Sequence, residues 1–348
     1  MTERVNIGKV AIGGGEKIAV QSMTNIKTEK TGEVIKQINA LYDAGCDIVR
    51  LAVKDEADAF ALKTVKENSP VPVVADIHFD YRLAILSVEN GADKIRINPG
   101  NIGGESRIRK VADCLKEYNV PVRVGSNTGS IEREFLKKYG KNEISLAESA
   151  LKNVYLLEKF GVKNIVVSAK ASSVPLTVKT YKYLSEKTNY PLHIGVTEAG
   201  TYKSGLLKSA VGLGALLLSG IGDTMRVSLT ADPVKEPIAA HEILRAAGIE
   251  KDYAEVVSCP TCGRTEYDSI GLAEEVERLT AGIKKPMKIA VMGCVVNGPG
   301  EAADADIGIA GSKDFCVIFQ KGKVVKKVPF SSAKEEFIKE IEKIAKLV

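Results

Sequence analysis

The feature that most constrains this chain is a unit repeated through its first two-thirds: a short β-branched run, a polar turn, then an amphipathic stretch of helical period. The runs occupy 18–23, 47–53, 71–77, 94–98, 120–125, 164–169, 192–197 and 224–229. Helical stretches such as 31–44, 55–68, 143–160 and 202–219 lie between them, several closed by a glycine just past the end, at Gly45, Gly91, Gly161 and Gly220. Eight alternating units predict an α/β fold of the (β/α)8, TIM-type barrel class, since an open doubly wound sheet usually has fewer strands. The repeat breaks near Gly248. Beyond it come a short strand, a cysteine-bearing loop, a helix, another strand, a Gly- and Asp-rich loop over 293–308, a hairpin and a final amphipathic helix, which read as a smaller α/β domain. The chain of 348 residues is therefore expected to form two domains, 1–250 and 251–348.

Composition removes several classes of function. Hydrophobic residues make up 45% and charged residues 27%, the balance of a globular chain able to bury a large core. No stretch approaches the ~18 uninterrupted apolar residues of a membrane helix, and residues 1–10 lack the apolar core of a signal peptide, so a cytoplasmic protein without membrane attachment is expected. The net charge of +5 is too small to argue for nucleic acid, and with no Trp and 5% aromatic residues there is no stacking platform for single strands. Six cysteines in a reducing compartment point to metal binding or redox chemistry rather than disulfides.

Several strands carry one base between apolar neighbours: Arg50, Arg96, Arg123 and Arg226, while Lys170 closes the sixth. Side chains alternate along a barrel strand, so apolar neighbours facing the helices turn these bases into the lumen. Inward bases need anionic partners, either carboxylates such as Asp76, Asp93, Glu198 and Asp223 near the same strand ends, or a ligand. Planar arginine forks and a lysine around one mouth suit the phosphate oxygens of a phosphorylated or diphosphate small molecule. Asn98, Asn127 and the 197–200 turn add short polar groups where strands exit. Asp76, His78 and Glu198 are the candidates for proton transfer, with Glu198 preferred because it stands at a strand end among bases. The glycine runs at 13–15 and 220–222 complete neither a P-loop nor a dinucleotide fingerprint, so neither ATP nor NAD is indicated.

Cys259 and Cys262 form a C-x-x-C pair, and Cys294 follows in a glycine-punctuated segment. Structural zinc normally has four Cys or His ligands, and no second C-x-x-C exists, which leaves Cys316 or His241 to complete such a site. An iron–sulfur cluster held by three cysteines keeps one iron open, as a substrate-activating cluster needs. Spacing favours the cluster and leaves both readings open. The alternative function is then a phosphate-binding barrel with a structural zinc module.

Taken together, the stretches 21–24, 75–79, 96–100 and 222–226, the run Ser258-Cys259-Pro260-Thr261-Cys262-Gly263-Arg264 and the segment 292–308 closely resemble the bacterial 4-hydroxy-3-methylbut-2-enyl diphosphate synthases of the methylerythritol phosphate route to isoprenoids. The resemblance covers nearly the full chain, and its last two motifs are long and specific. It implies a barrel joined to a reductase-like domain. It further implies a [4Fe–4S] cluster held by Cys259, Cys262, Cys294 and Glu301, and the substrate 2-C-methyl-D-erythritol 2,4-cyclodiphosphate. That substrate would be gripped by Arg50, Arg96, Arg123, Lys170 and Arg226, with Asp76, His78 and Asn127 beside them and Glu198 and Glu301 as catalytic residues. A ferredoxin or flavodoxin would supply two electrons, and the implied assembly is a head-to-tail homodimer whose active sites are shared between chains. Lys54 and Ser126 stand where the family carries proline and an apolar residue.

Overall fold

The computed structural model describes residues 1–296, 300 and 302–347, which divide into two compact units, Met1–Ala247 and Gly248–Val348. The first opens with an antiparallel hairpin, β1 (Val5–Ile7) and β2 (Val10–Ile12), turned at Gly8 with φ +54°. Eight parallel strands follow: β3 (Ala19–Met23), β4 (Ile48–Ala52), β5 (Val73–Asp76), β6 (Lys94–Ile97), β7 (Val122–Asn127), β8 (Ile165–Lys170), β9 (His193–Ile194) and β10 (Thr224–Met225). They run β8-β7-β6-β5-β4-β3-β10-β9 around the sheet, and the parallel bridge Val167↔Leu192 brings its two ends together into a barrel. The expected eight-unit barrel thus forms. Its last two strands are shorter than their β-branched runs, and β9 is bracketed by Pro191, which has no N–H for a ladder, and Gly195.

Local chemistry explains where the helices begin and end. Asp55, Asp80, Asn142 and Ser173 each accept a backbone N–H of the first turn of the helix they cap, and Asn142 and Ser145 form a reciprocal capping box. Gly45, Gly91, Gly161 and Gly220 adopt positive φ just past helix ends, the places where the sequence reading set them. The main core lies between the strands and the helix ring, with Val49, Leu51, Val73, Ala75, Ile95, Ile97, Val122 and Val124 fully buried toward the helices. A second apolar cluster seals the N-terminal end of the barrel: Val5, Ile7 and Ile12 of the hairpin pack on Ala19, Ile48, Val74 and Val166. The lumen is therefore plugged at the bottom and opens at the C-terminal ends of the strands.

The second unit is a mixed sheet in the order β11 (Ala254–Ser258), β12 (Met287–Met292), β13 (Ile307–Gly311), β14 (Cys316–Gln320) and β15 (Lys323–Val328), its first three strands parallel and its last two antiparallel. Helices Ser269–Thr280 and Phe330–Leu347 cover one face through Leu272, Val276, Ala333, Phe337 and Ile341. Among the described residues, no helix is long and apolar enough to cross a membrane.

Candidate active site

Strand register builds the mouth of the barrel. Met23 pairs with Arg50, Ala52 with Asp76, Asp76 with Arg96, Arg96 with Arg123, and Asn127 with Lys170. Residues two apart share a face, and Met23, Arg50, Asp76, Arg96, Arg123, Asn127 and Lys170 converge on one cavity of about 270 Å³, which Ser126, Ser168, Thr197, Arg226 and Ser228 help to line. Arg50, Arg96, Arg123, Lys170, Arg226, Asp76, His78 and Asn127, the residues singled out in the sequence, all line it.

Asp76 is the hub. It is 4% exposed, and its carboxylate lies 3.2 Å from Arg96 Nη1, 3.4 Å from His78 Nε2 and 3.8 Å from Arg50 Nε. Burial alone would raise its pKa, but Arg50, His78, Arg96 and Arg123 outweigh burial and hold the carboxyl well below the usual carboxylate range. Arg50 is pushed down to about 10, by burial first, with Asp76 opposing and Arg226 and Arg96 adding to the shift. Its Nε and Nη2 point at the Met23 thioether at 3.2 and 3.0 Å. Arg226 is gripped by both oxygens of Glu236, with Nε and Nη2 each 3.0 Å away, and Ser22 and the Leu229 amide donate to the same carboxylate.

Among the described residues, neither Arg123 nor Lys170 has a carboxylate within ion-pair distance. Arg123 is 1% exposed and its Nε and Nη1 find no hydrogen-bond partner. Burial pushes it well below the usual arginine range, and Arg50 and Arg96 add to the effect. Lys170 is driven down in the same way by burial, then by Arg123, Arg50, Arg226 and Arg96. Beneath them the fully buried Lys94 donates to Gln21 Oε1 at 3.5 Å, and burial lowers it too. The mouth thus holds five bases against the carboxylates of Asp76 and Glu236. A buried cation costs several kcal/mol unless an anion meets it, so the arrangement is built for an anionic ligand.

Two of the carboxylates considered as internal partners serve the other end of the barrel. Asp93 precedes β6 and binds Lys66 Nζ at 2.6 Å and the Val73 amide, while Asp223 precedes β10 and accepts from Thr2 Oγ1 and the Leu192 amide. The partner that sequence reasoning missed is Glu236, on the helix Lys235–Ala246, where nothing local distinguishes it from a solvated first-turn acid. Glu198 stands exposed on the turn after β9, next to the cavity-lining Thr197, with φ +52°, an unusual conformation for a residue with a Cβ. Asn127 commits its Oδ1 to the Gly129 amide.

In the C-terminal unit, Cys259 and Cys262 follow β11 and Cys294 follows the adjacent parallel strand β12, so the three thiols come from loops at one end of the sheet. The Gly293 amide donates to Cys259 Sγ at 3.1 Å, the Glu266 amide to the Gly293 carbonyl, and Tyr267 Oη to the Met292 carbonyl. Cys262 is exposed, and the Arg264 backbone and side chain hold it below the ordinary thiol range. Three sulfurs on adjoining loops, one already accepting a backbone N–H, fit a thiolate-held iron–sulfur group in donor chemistry. Among the described residues no three potential ligands close on a single point, and Glu301 lies outside the described residues. Of the residues that would complete zinc, Cys316 is fully buried at the start of β14, and His241 has its Nε2 2.9 Å from the Gly45 carbonyl.

Fold and site together define an anion-binding TIM-barrel enzyme with a separate cysteine-bearing α/β unit. The chain belongs to the GcpE family: the family model for the GcpE TIM-barrel domain matches residues 2–241, and that for the GcpE protein C-terminal domain matches 255–343. It is 57% identical over 347 residues to a protein of Caldanaerobacter subterraneus subsp. tengcongensis named 4-hydroxy-3-methylbut-2-en-1-yl diphosphate synthase (flavodoxin), covering 99% of this chain and 98% of that one. Relatives of the same name from Clostridium perfringens (52% identical, 99% of each chain) and Ruminiclostridium cellulolyticum (51%, 98% and 97%) match as fully. Among solved structures, the dihydropteroate synthase of Yersinia pestis aligns with a TM-score of 0.53 at 10% identity, over 71% of this chain and 98% of that one, a likeness of barrel fold alone.

Proposed function

We propose that this chain carries out the reductive ring opening and dehydroxylation of 2-C-methyl-D-erythritol 2,4-cyclodiphosphate to 4-hydroxy-3-methylbut-2-enyl diphosphate. The observation that carries the reading is the pair of cations with no ion-pair partner among the described residues, the buried Arg123 and the half-buried Lys170, in a mouth whose other bases are already pinned. A diphosphate supplies the missing negative charge at short range, and Arg50, Arg96 and Arg226 fix its orientation from around the ring. Glu198, on its left-handed turn beside Thr197, is the proton donor to the departing hydroxyl. Asp76, kept ionised by its neighbours, holds Arg96 and His78 against the substrate. Cys259, Cys262 and Cys294, with Glu301 as the fourth ligand, would hold a [4Fe–4S] cluster. When bound, such a cluster would relay two electrons from a ferredoxin or flavodoxin and offer a Lewis-acidic iron to the departing oxygen. The acting form is a head-to-tail homodimer in the cytoplasm.

The alternative, a phosphate-binding barrel with a structural zinc module, is not supported: the relatives that match this chain over both of its units bear the synthase name. Anaerobic purification with iron, sulfide and zinc analysis of wild type and Cys262→Ala tests the proposal. About four irons and four sulfides per chain, lost in the variant, are expected. Zinc without sulfide in protein never exposed to oxygen would overturn it.

A further inference from the structure

Two positions on the inner wall of the barrel carry no side chain, and each is filled by a base from the preceding strand. At Gly125 on β7, a Cβ would stand 2.7 Å from Arg96 Nε, 3.1 Å from Nη2 and 3.3 Å from Cζ, so the guanidinium occupies the volume a side chain would need. The Gly125 carbonyl also accepts from Arg96 Nη2 at 3.3 Å. At Gly195, just after β9, a Cβ would collide with Lys170 Nζ and meet the Arg226 carbonyl at 2.8 Å. Arg96 belongs to β6 and Lys170 to β8, so both bases lean the same way around the ring, each over the glycine of the next strand.

Backbone conformation does not explain these glycines. Neither has a positive φ, unlike Gly200 and Gly222 in nearby loops, so any residue could adopt the local backbone. What demands glycine is space for the cation. A methyl at 125 would lift the Arg96 guanidinium off the wall and away from Asp76, toward the centre of a cavity of about 270 Å³.

We infer that Gly125 and Gly195 are specificity-determining positions of the anion site: by letting Arg96 and Lys170 lie flat against the wall, they set how deep a diphosphate is received. This rests on the reading of the mouth as a diphosphate site and extends it to two residues that carry no charge of their own. Gly125 is the cleaner position, because the displaced atoms are the far end of a flexible side chain, whereas at Gly195 a backbone carbonyl must move as well.

The test is calorimetric binding of inorganic pyrophosphate to the full-length wild type, Gly125→Ala, Arg96→Ala and the double variant. Gly125→Ala is expected to keep its melting temperature yet bind pyrophosphate at least about tenfold more weakly, as loss of one placed charge-assisted contact implies. Arg96→Ala should lose a similar amount, and the double variant no more than either, since both changes remove one interaction. Full pyrophosphate affinity in Gly125→Ala, or losses that add in the double variant, would overturn the inference while leaving the diphosphate reading intact. A wild type that fails to bind pyrophosphate would overturn the reading beneath it, and the inference with it. Should Gly125→Ala alone not fold, the double variant, whose methyl meets no guanidinium, must fold and bind as Arg96→Ala does; if it does not, the inference fails.

Discussion

In the barrel, Arg96 and Arg226 are already held by Asp76 and Glu236, and the ladder fixes Arg50, Arg96, Arg123 and Lys170 within its strand register. In the C-terminal unit, Cys259 is tethered by the Gly293 amide, but Cys262 is exposed and the cysteines do not close on one point among the described residues. The difference follows from charge. Burying guanidinium groups is costly, so the barrel supplies carboxylates of its own to Arg50, Arg96 and Arg226. A neutral thiol makes no such demand, and its final geometry is left to the group it binds.

The largest expected effect separates the two regions by function. Arg123→Ala should lose on the order of 10²–10³ in kcat/KM with full iron content, because the proposal assigns this buried cation to the diphosphate, whereas Cys262→Ala is expected to lose activity together with its iron. The proposed head-to-tail pair predicts that a mixture of these two inactive chains recovers part of the wild-type rate. No recovery in a mixture shown to exchange subunits would sink the shared-site assembly.

A smaller effect tests how far the barrel is built in advance. Glu236→Ala leaves Arg226 without its bidentate partner and Ser22 without its acceptor, and should destabilise the barrel by about 3 kcal/mol in urea unfolding. A loss below about 0.5 kcal/mol, the range of ordinary surface substitutions, would mean that the ion pair is not part of the scaffold.

The smallest effect is in pH dependence. The folded-state pKa of Asp76 is depressed below its unfolded value, so its contribution to stability is fully present above the unfolded value, near 4, and is lost as pH falls through the folded one. Wild type should therefore lose part of its stability on acidification below about pH 4. Asp76→Asn, less stable at neutrality, should show a shallower acid slope; parallel slopes for the two proteins would show that Asp76 is not the carboxylate responsible.

The barrel was legible because its signals are local and repeated: a period-two run, a cap such as Asp55 or Asn142, and a glycine such as Gly45 or Gly161 each follow from a few consecutive residues. The inward bases were legible for the same reason, since alternation within one strand decides which face Arg96 or Arg123 presents. Partnership was not legible. Asp76, Asp93 and Asp223 look alike in sequence, yet Asp76 closes β5 at the open mouth, whereas Asp93 and Asp223 precede their strands at the plugged end. Glu236 reaches Arg226 from a helix, and Gly125 and Gly195 acquire their meaning only from side chains on neighbouring strands. The sequence by itself determined the units of the fold, the bases and the cysteines, because each is written in short-range pattern. Only the tertiary structure decided which charges are paired, which are left for a ligand, and where a missing side chain makes room, because those depend on strand register and on contacts between residues far apart in the chain.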